Sequence, residues 1–410
     1  MRQTRVTDGG GRSRRQLLGQ SAGALAALTT GASAGCLSLL PPASRTIQYG
    51  KVDVPGRGDV DPVYRKWFPA ESALPALQNA EGYDDINWIY VTPGDLGREQ
   101  LGKTFDIAKG VVQASMDHVG YQMMEYDRVV GLGDLGRIVE TTVDRSTVRE
   151  TMAGTGYERV DDYRDYDVYD RTDIPRLVAV SDDAIVHTRN ENRRAKAETL
   201  VDTGAGRVPR RHEVDNAFAA YTDHVGTAPS ILDGFGLLSG STSGSLRFTF
   251  DDSAAYYVHD HRFEQGETPS VGEVKREISG ITRGQNAVRV DVTVESPYVT
   301  IALKLAGNTF PDNSGHRTQP LVTWGIDDTQ DTITVRLEAG DDVELEHLRI
   351  DPSDAVIDRP DDGVLEPGDE LVFSRREVDD GSGFIHFTYQ MSEHSMTTLF
   401  TYDSENDTTT

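Results

Sequence analysis

The sequence is poor in cysteine and in basic residues. Its single cysteine, at position 36, excludes a scaffold held by disulfides and a zinc module built from several cysteines. Lysine and arginine together number 41 against 67 acidic residues, which gives a formal net charge of -26. A surface of that sign repels the phosphates of DNA and RNA, so we expect no nucleic-acid partner.

The basic residues that are present are nearly all arginine, 34 against seven lysines. An acidic surface with so little lysine resembles the proteins of halophilic archaea, whose carboxylates keep the surface hydrated in concentrated salt. A GC-rich coding bias also favours arginine over lysine, but by itself it does not produce this excess of acid. The resemblance implies a protein that folds and works in high salt.

Residues 1–35 differ in composition from everything that follows. Arg14 and Arg15 end a basic stretch, and a weakly apolar segment of small residues then runs from Leu17 to Ala34. That segment is less hydrophobic than a membrane-spanning helix requires and is typical of a signal peptide. The arginine pair before it resembles a twin-arginine export signal, which implies that residues 1–35 direct export of an already folded protein.

The only cysteine lies at the end of this apolar segment, in Ser33-Ala34-Gly35-Cys36. The tetrapeptide resembles a lipobox, where a lipoprotein precursor is cut before the cysteine and the new N-terminal thiol carries lipid. The chain thus resembles a haloarchaeal twin-arginine-exported lipoprotein, which implies lipidation of Cys36 and a location on the outer face of the cell membrane. In the alternative interpretation, Cys36 is a small buried residue of an uncleaved anchor helix. Residues 36–60 contain several Gly and Pro and are predicted to form a flexible tether.

Region 61–306 alternates predicted strands with predicted helices. Short apolar runs at 128–132 and 177–180 indicate strands, whereas apolar spacing over 101–119 and a capping box at 270–273 indicate helices. The succession strand-helix-strand-strand occurs more than once. We therefore predict an α+β domain, with duplication of that unit as an open alternative.

Region 318–403 has short alternating runs separated by Asp-Asp, Pro-Gly and Gly-Ser-Gly turns, with no helical period between them. Such a pattern predicts an all-β, immunoglobulin-like sandwich. With Thr323–Ile326 and Thr332–Val335, the region resembles the C-terminal β-domains of haloarchaeal pilin-like surface proteins. Residues 404–410 are polar and are predicted to be a disordered tail, in which Asn406 begins a glycosylation sequon.

The sequence Val258-His259-Asp260-His261 is the strongest metal candidate. On a strand, His259 and His261 point to the same face and are expected to be able to share one divalent ion such as zinc or copper. Such a site needs a third ligand, for which His187, His212, His224 or a carboxylate are available. The alternative is a pair of exposed histidines on an edge strand without any metal, and no other cofactor is expected.

Two further motifs have simpler interpretations. Gly131-Leu132-Gly133-Asp134-Leu135-Gly136 matches a dinucleotide-binding fingerprint, but a β-branched run follows it where a helix is required. A glycine-rich hairpin or bulge is predicted instead. The aspartates between positions 161 and 173 lack the glycine turn of an EF-hand and are predicted to form a solvated turn.

No local motif supports nucleophilic catalysis, because Thr242 stands where a nucleophile elbow would have serine. The sequence therefore predicts a non-enzymatic cell-surface lipoprotein, held to the membrane by its lipid, that binds envelope proteins or surface polymers. One alternative is a membrane-anchored extracellular hydrolase or a metal-binding protein that uses His259 and His261. A second alternative is a solute-binding lipoprotein.

Overall fold

Twelve strands between residues 88 and 305 pair into one antiparallel sheet. The computed structural model describes residues 48–55, 61–74, 87–96, 113, 116–279, 287–305, 317, 319–392, 395–404 and 408–409. Arg14, Arg15, Cys36, Asn406 and most of the helix predicted at 101–119 lie outside the described residues.

The strands of this sheet are mostly joined by short turns. In chain order they are β1 (Trp88–Val91), β2 (Arg128–Leu132), β3 (Gly136–Glu140), β4 (Glu158–Tyr163), β5 (Tyr166–Arg171), β6 (Arg176–Val180), β7 (Ala184–Arg189), β8 (Ser230–Asp233), β9 (Ser243–Phe250), β10 (Ala255–Arg262), β11 (Ala287–Glu295) and β12 (Tyr298–Leu305). Their order across the sheet is β11-β12-β10-β9-β8-β1-β2-β3-β7-β6-β5-β4.

Two parts of the sheet meet at the pairing of β1 with β8. On one side lie β1 to β7, and on the other lie β8 to β12. The seam consists of three residue pairs, Ile89–Leu232, Tyr90–Ile231 and Val91–Ser230. Every neighbouring pair in the sheet, this one included, is antiparallel.

Short α-helices lie between the strands, and both faces of the sheet are covered. In the described residues the helices are α1 (Pro93–Leu96), α2 (Arg145–Met152), α3 (Arg193–Gly204), α4 (Arg211–Val214), α5 (Asn216–Val225), α6 (Val271–Ile278) and α7 (Arg375–Asp380). Alternation along β1 sends Ile89 and Val91 into one hydrophobic core and Trp88 and Tyr90 into another. Central strands are consequently buried on both sides.

The prediction of an α+β domain at 61–306, duplicated or not, is wrong. One antiparallel sheet runs through the whole region, and its helices pack on the faces without dividing it into repeated units. The prediction failed because a succession of strands and helices does not state which strands pair. Within this region the glycine-rich hairpin is confirmed, since β2 and β3 pair across the turn that holds Gly133, whose φ is 48°.

Further strands lie C-terminal to this sheet. They are β13 (Val322–Asp328), β14 (Thr332–Gly340), β15 (Val343–Glu344), β16 (Leu348–Asp351), β17 (Val356–Asp358), β18 (Val364–Leu365), β19 (Glu370–Ser374), β20 (Phe384–Ser392), β21 (Ser395–Asp403) and β22 (Thr408–Thr409). They form two four-stranded sheets, β13-β14-β19-β17 and β16-β20-β21-β22, and one two-stranded sheet, β15-β18. Trp324, Phe373, Phe387 and Phe400 share one core between them.

The predicted immunoglobulin-like sandwich following a separate α+β domain does not hold either. The C-terminal core includes Ile174 from the loop before β6, and a core of the large sheet includes Leu321. Arg171, whose side chain is fully buried, binds Glu338 on β14 at 3.1 Å between Nη2 and Oε2. The two parts therefore share packing and a buried ion pair, which strand patterns alone could not reveal.

Segments near both ends of the described part of the chain contact the folded body. Gln48 and Gly50 exchange backbone hydrogen bonds of 2.9 and 3.0 Å with Val290 on β11, and Val52 is buried against Tyr256 on β10. Gln48, Gly50 and Val52, which lie within the predicted tether, therefore contact the folded body. Within the segment predicted to be a disordered tail, Ser404 is buried and β22 pairs with β21.

Candidate functional site on strand β10

The two histidines of the metal candidate lie inside the large sheet, on β10. That strand runs between β9 and β12, and it places His259 beside Leu246 and Ile301. The imidazole rings of His259 and His261 lie 6.5 Å apart and nearly parallel, so the prediction that they share a face is confirmed. The alternative of exposed histidines on an edge strand is wrong, because their exposed fractions are 3% and 0%. We call these two residues the histidine pair.

The histidine pair is covered by the loop between β8 and β9. A Cβ atom at Gly244 would lie 3.3 Å from His261 Nδ1 and 2.8 Å from the Cα of Gly236, so the absence of a side chain at Gly244 permits close approach of the loop. The Phe235 backbone approaches His259, but no ring nitrogen of the pair makes a hydrogen bond of ordinary geometry to any residue that the structure describes. Burial lowers the pKa of His259 to about 3 and that of His261 to about 4. Both rings are therefore neutral near pH 7.

The histidine pair supplies two metal-ligand side chains without a third beside them among the described residues. His187 lies on β7, six strands away across the sheet; His212 is on α4, and His224 contacts the opposite face of β10. Ligand atoms of Glu344, Glu346 and His347 come within 4.8 Å of one another, but this group lies C-terminal to the large sheet and does not include either histidine of the pair. The predicted third ligand is thus not brought to the pair by the described part of the chain.

On the opposite face of β10, Asp260 is the centre of a buried polar cluster. Its exposed fraction is 0%, and Arg247 Nε donates to its Oδ2 at 2.6 Å. Its Oδ1 accepts from Thr300 Oγ1 at 2.9 Å and lies 3.3 Å from His224 Nε2. Burial would raise the pKa of Asp260, but Arg247 and His224 hold it well below its usual range. Asp260 is therefore ionised near neutral pH, and it lies beneath α5.

The cluster does not have the geometry of a nucleophilic triad. In a triad, one ring nitrogen of the histidine faces the carboxylate and the other faces the nucleophile. Here the same atom, His224 Nε2, lies 3.1 Å from Thr300 Oγ1 and 3.3 Å from Asp260 Oδ1. The ring also stacks on Tyr298 with 4.2 Å between centroids. The contacts shown for the cluster thus form a buried hydrogen-bond network around Asp260.

Sequence reasoning missed most of this cluster. The sequence runs that contain Arg247 and Thr300 predict only strands. For His224 the sequence predicts only a candidate role as a metal ligand. The available signal was the alternation on β10, which places Asp260 on the face opposite the histidine pair. A carboxylate buried in the middle of a sheet needs a cation beside it, and for Asp260 that cation is Arg247.

A second buried network joins the large sheet to the C-terminal strands. Tyr157 Oη donates to Asp117 Oδ2 at 2.6 Å, and Arg176 binds the other oxygen of the same carboxylate. The Arg171 guanidinium lies 5.1 Å from the Tyr157 ring centroid and pairs with Glu338. Through Arg171 and Glu338, this network holds the C-terminal strand β14 against the end of the large sheet where β4, β5 and β6 lie.

Comparisons with known proteins identify no family for the chain. No family model matches it, and no curated protein matches it. Among solved structures it is similar to crystal form I of TP0453, with a TM-score of 0.38 and 10% identity, covering 62% of this chain and 95% of that one. For crystal form III of TP0453 the TM-score is 0.35 and the identity 11%, over 60% and 95% of the two chains. Likeness at this level carries no argument about function.

Within the part of the chain that the structure describes, none of the helices is both long and apolar enough to cross a bilayer.

Proposed function

We propose that the chain is a lipid-anchored protein of the cell surface that binds envelope proteins or surface polymers without catalysing a reaction. The Arg14-Arg15 signal and the lipobox at Cys36 support export and anchoring. The observation that carries the binding role is strand β4, which forms one end of the large sheet and, among the residues that the structure describes, pairs only with β5.

Strand β4 presents its backbone and side chains to solvent. Every residue from Glu158 to Asp162 is exposed, and Val160 has an exposed fraction of 53%. An edge strand offers unpaired backbone N–H and C=O groups to an added strand or an extended polymer. The pairing register shifts between Arg159 and Asp161, and the exposed carboxylates oppose pairing of two copies. The edge therefore favours a partner that is not a second copy of this chain.

The test is photo-cross-linking on intact cells in multimolar salt, with a photoreactive amino acid at Val160. The matched control is the same substitution at Val214 on α4, an equally apolar residue with an exposed fraction of 62%. We expect a reproducible set of envelope partners joined at position 160 and absent at position 214. Equal capture at both positions, or capture at neither, contradicts the proposed role of β4.

A second candidate function, metal binding, is favoured by one specific observation. The four ring nitrogens of the histidine pair are buried and make no hydrogen bond of ordinary geometry within the described part of the chain, although buried polar atoms are normally satisfied. The test is titration of the full chain with Zn²⁺ and with Cu²⁺, beside the double variant His259→Asn and His261→Asn. Stoichiometric binding lost in the variant supports this candidate, and identical titrations of both proteins oppose it.

A further inference from the structure

The chain enters its folded body at the edge of the large sheet opposite β4. Gln48 and Gly50 are hydrogen-bonded to Val290 on β11, the strand at that edge. Gln48 lies twelve positions after Cys36. A chain of that length spans at most about 43 Å, so a lipid on Cys36 keeps the β11 edge within that distance of the bilayer.

The β4 edge lies much farther along the sheet. Eleven strand-to-strand intervals separate β11 from β4. At about 4.8 Å for each interval, the two edges are about 53 Å apart along the sheet. The anchor therefore acts at one end of the molecule, and the exposed strand and the C-terminal region lie toward the other.

Apolar side chains are exposed where the chain enters. Tyr49, Val271 and Val288 have exposed fractions of 39%, 37% and 36%, and Tyr49 Oη donates to the backbone oxygen of Lys275 on α6. Val271 and Lys275 are one turn apart on that helix and share a face. We call Tyr49, Val271, Lys275 and Val288 the β11 surface.

Lysine, the scarcest basic residue of the chain, concentrates in the same region. Five lysines lie in the described residues, and Lys51, Lys275 and Lys304 are in the entering segment, α6 and β12. Lys275 Nζ lies 4.6 Å from the centroid of the Tyr49 ring. A tyrosine with a long flexible cation beside it suits a membrane interface, where the aliphatic stem contacts acyl chains and the ammonium reaches headgroup phosphates. In concentrated salt the charges are screened, so contact through the apolar side chains contributes most.

We propose that the β11 surface rests on the bilayer to which Cys36 is attached, so that β4 projects away from the membrane. This orientation depends on the proposed lipid anchor. The contact involves phospholipid headgroups, not a protein partner. It also gives the exposed β4 strand access to the envelope outside the membrane.

The single natural cysteine permits a clean test. Because lipid occupies Cys36, Val288→Cys or Val271→Cys in the full-length lipidated protein adds one free thiol for a fluorophore, and Val160→Cys on β4 is the matched control. The labelled proteins are reconstituted in phosphatidylglycerol vesicles that contain a lipid with a nitroxide headgroup, in multimolar salt. We expect loss of most emission at 288 and 271 and retention of emission at 160. Equal loss at all three positions, or greater loss at 160, overturns the orientation.

Two additional measurements separate the possible failures. Flotation of the vesicles is recorded first: protein that fails to float refutes the anchor and with it this orientation. The two substitutions Tyr49→Asp and Lys275→Glu are then introduced together into the Val271→Cys protein. Emission at position 271 should recover while the protein still floats, because the anchor is intact but the surface contact is lost. Unchanged quenching in that variant overturns the role of the β11 surface.

Discussion

Replacing Asp260 by asparagine is expected to destabilise the protein strongly. The substitution keeps the volume of the side chain but removes the charge that faces Arg247, whose exposed fraction is only 2%. A buried cation left without its partner typically costs about 3–5 kcal/mol in the free energy of unfolding. Solvent offers little screening here, since both side chains are almost completely enclosed.

An exposed pair of the same chemistry provides the comparison. Arg336 and Glu370 pair across β14 and β19, with side-chain exposures of 47% and 40%. Exposed ion pairs of this kind contribute about 0–1 kcal/mol, so Glu370→Gln should change stability little. Replacing both members of the buried pair, Arg247→Met with Asp260→Leu, should recover most of the loss, because neither charge then remains buried alone.

The assay is urea unfolding in multimolar potassium chloride, followed by circular dichroism and by tryptophan fluorescence. Trp88 lies in the same large sheet as β10, so its emission reports on the unfolding of the structure that holds Asp260. The reasoning is refuted by a cost for Asp260→Asn that lies within about 1 kcal/mol of the cost for Glu370→Gln. A double replacement no more stable than Asp260→Asn alone would also contradict it.

Three other predictions address different parts of the molecule. The lowered pKa values of the histidine pair, about 3 and 4, lie below the unfolded value of about 6.5. The unfolded state therefore binds more protons between about pH 4 and 6.5, and stability should fall as pH falls through that window, by up to about 1.4 kcal/mol per pH unit for each ring. Urea midpoints measured at several pH values should show a shallower slope when both rings are replaced by asparagine; an unchanged slope would count against their burial. Gly204→Ala should lower the free energy of unfolding by about 1–3 kcal/mol, since the added Cβ would lie 2.2 Å from the Trp67 ring. Gly94→Ala, which has open space around it, should leave that free energy unchanged in the same urea unfolding assay. Cys36→Ser should move the protein from the membrane fraction to the medium on cell fractionation, and continued retention would favour an uncleaved anchor helix.

Local structure could be predicted from the sequence where a pattern of neighbouring residues is compatible with only one kind of element. The run 128–132 is a strand with those bounds, and the capping box at Ser270 and Glu273 begins a helix at Val271. Both signals depend on residues that are neighbours along the chain. The pairing of β1 with β8 depends on residues more than a hundred positions apart, and no local pattern specifies it.

The candidate site was predictable only in part for the same reason. Strand alternation placed His259 and His261 on one face, as the structure has them. Their burial was not predicted, because it depends on a loop that contributes Gly236 and on the position of β10 inside the sheet. From the sequence alone, a polar side chain such as histidine is expected to be exposed. Only the position of β10 between two other strands shows that these two are buried. Arg247 was missed because its partner Asp260 lies on a different strand.

The seam at the middle of the large sheet has a consequence for how the chain folds. Tyr90 and Ile231 face each other across β1 and β8 although 141 positions separate them in the sequence. The other neighbouring strands of the sheet pair over much shorter separations, many of them across tight hairpins. Closing so long a loop costs entropy before the three residue pairs of the seam contribute any stability. The two flanks should therefore assemble first from nearby strands, and the joining of β1 to β8 should set the rate at which the chain reaches its native state.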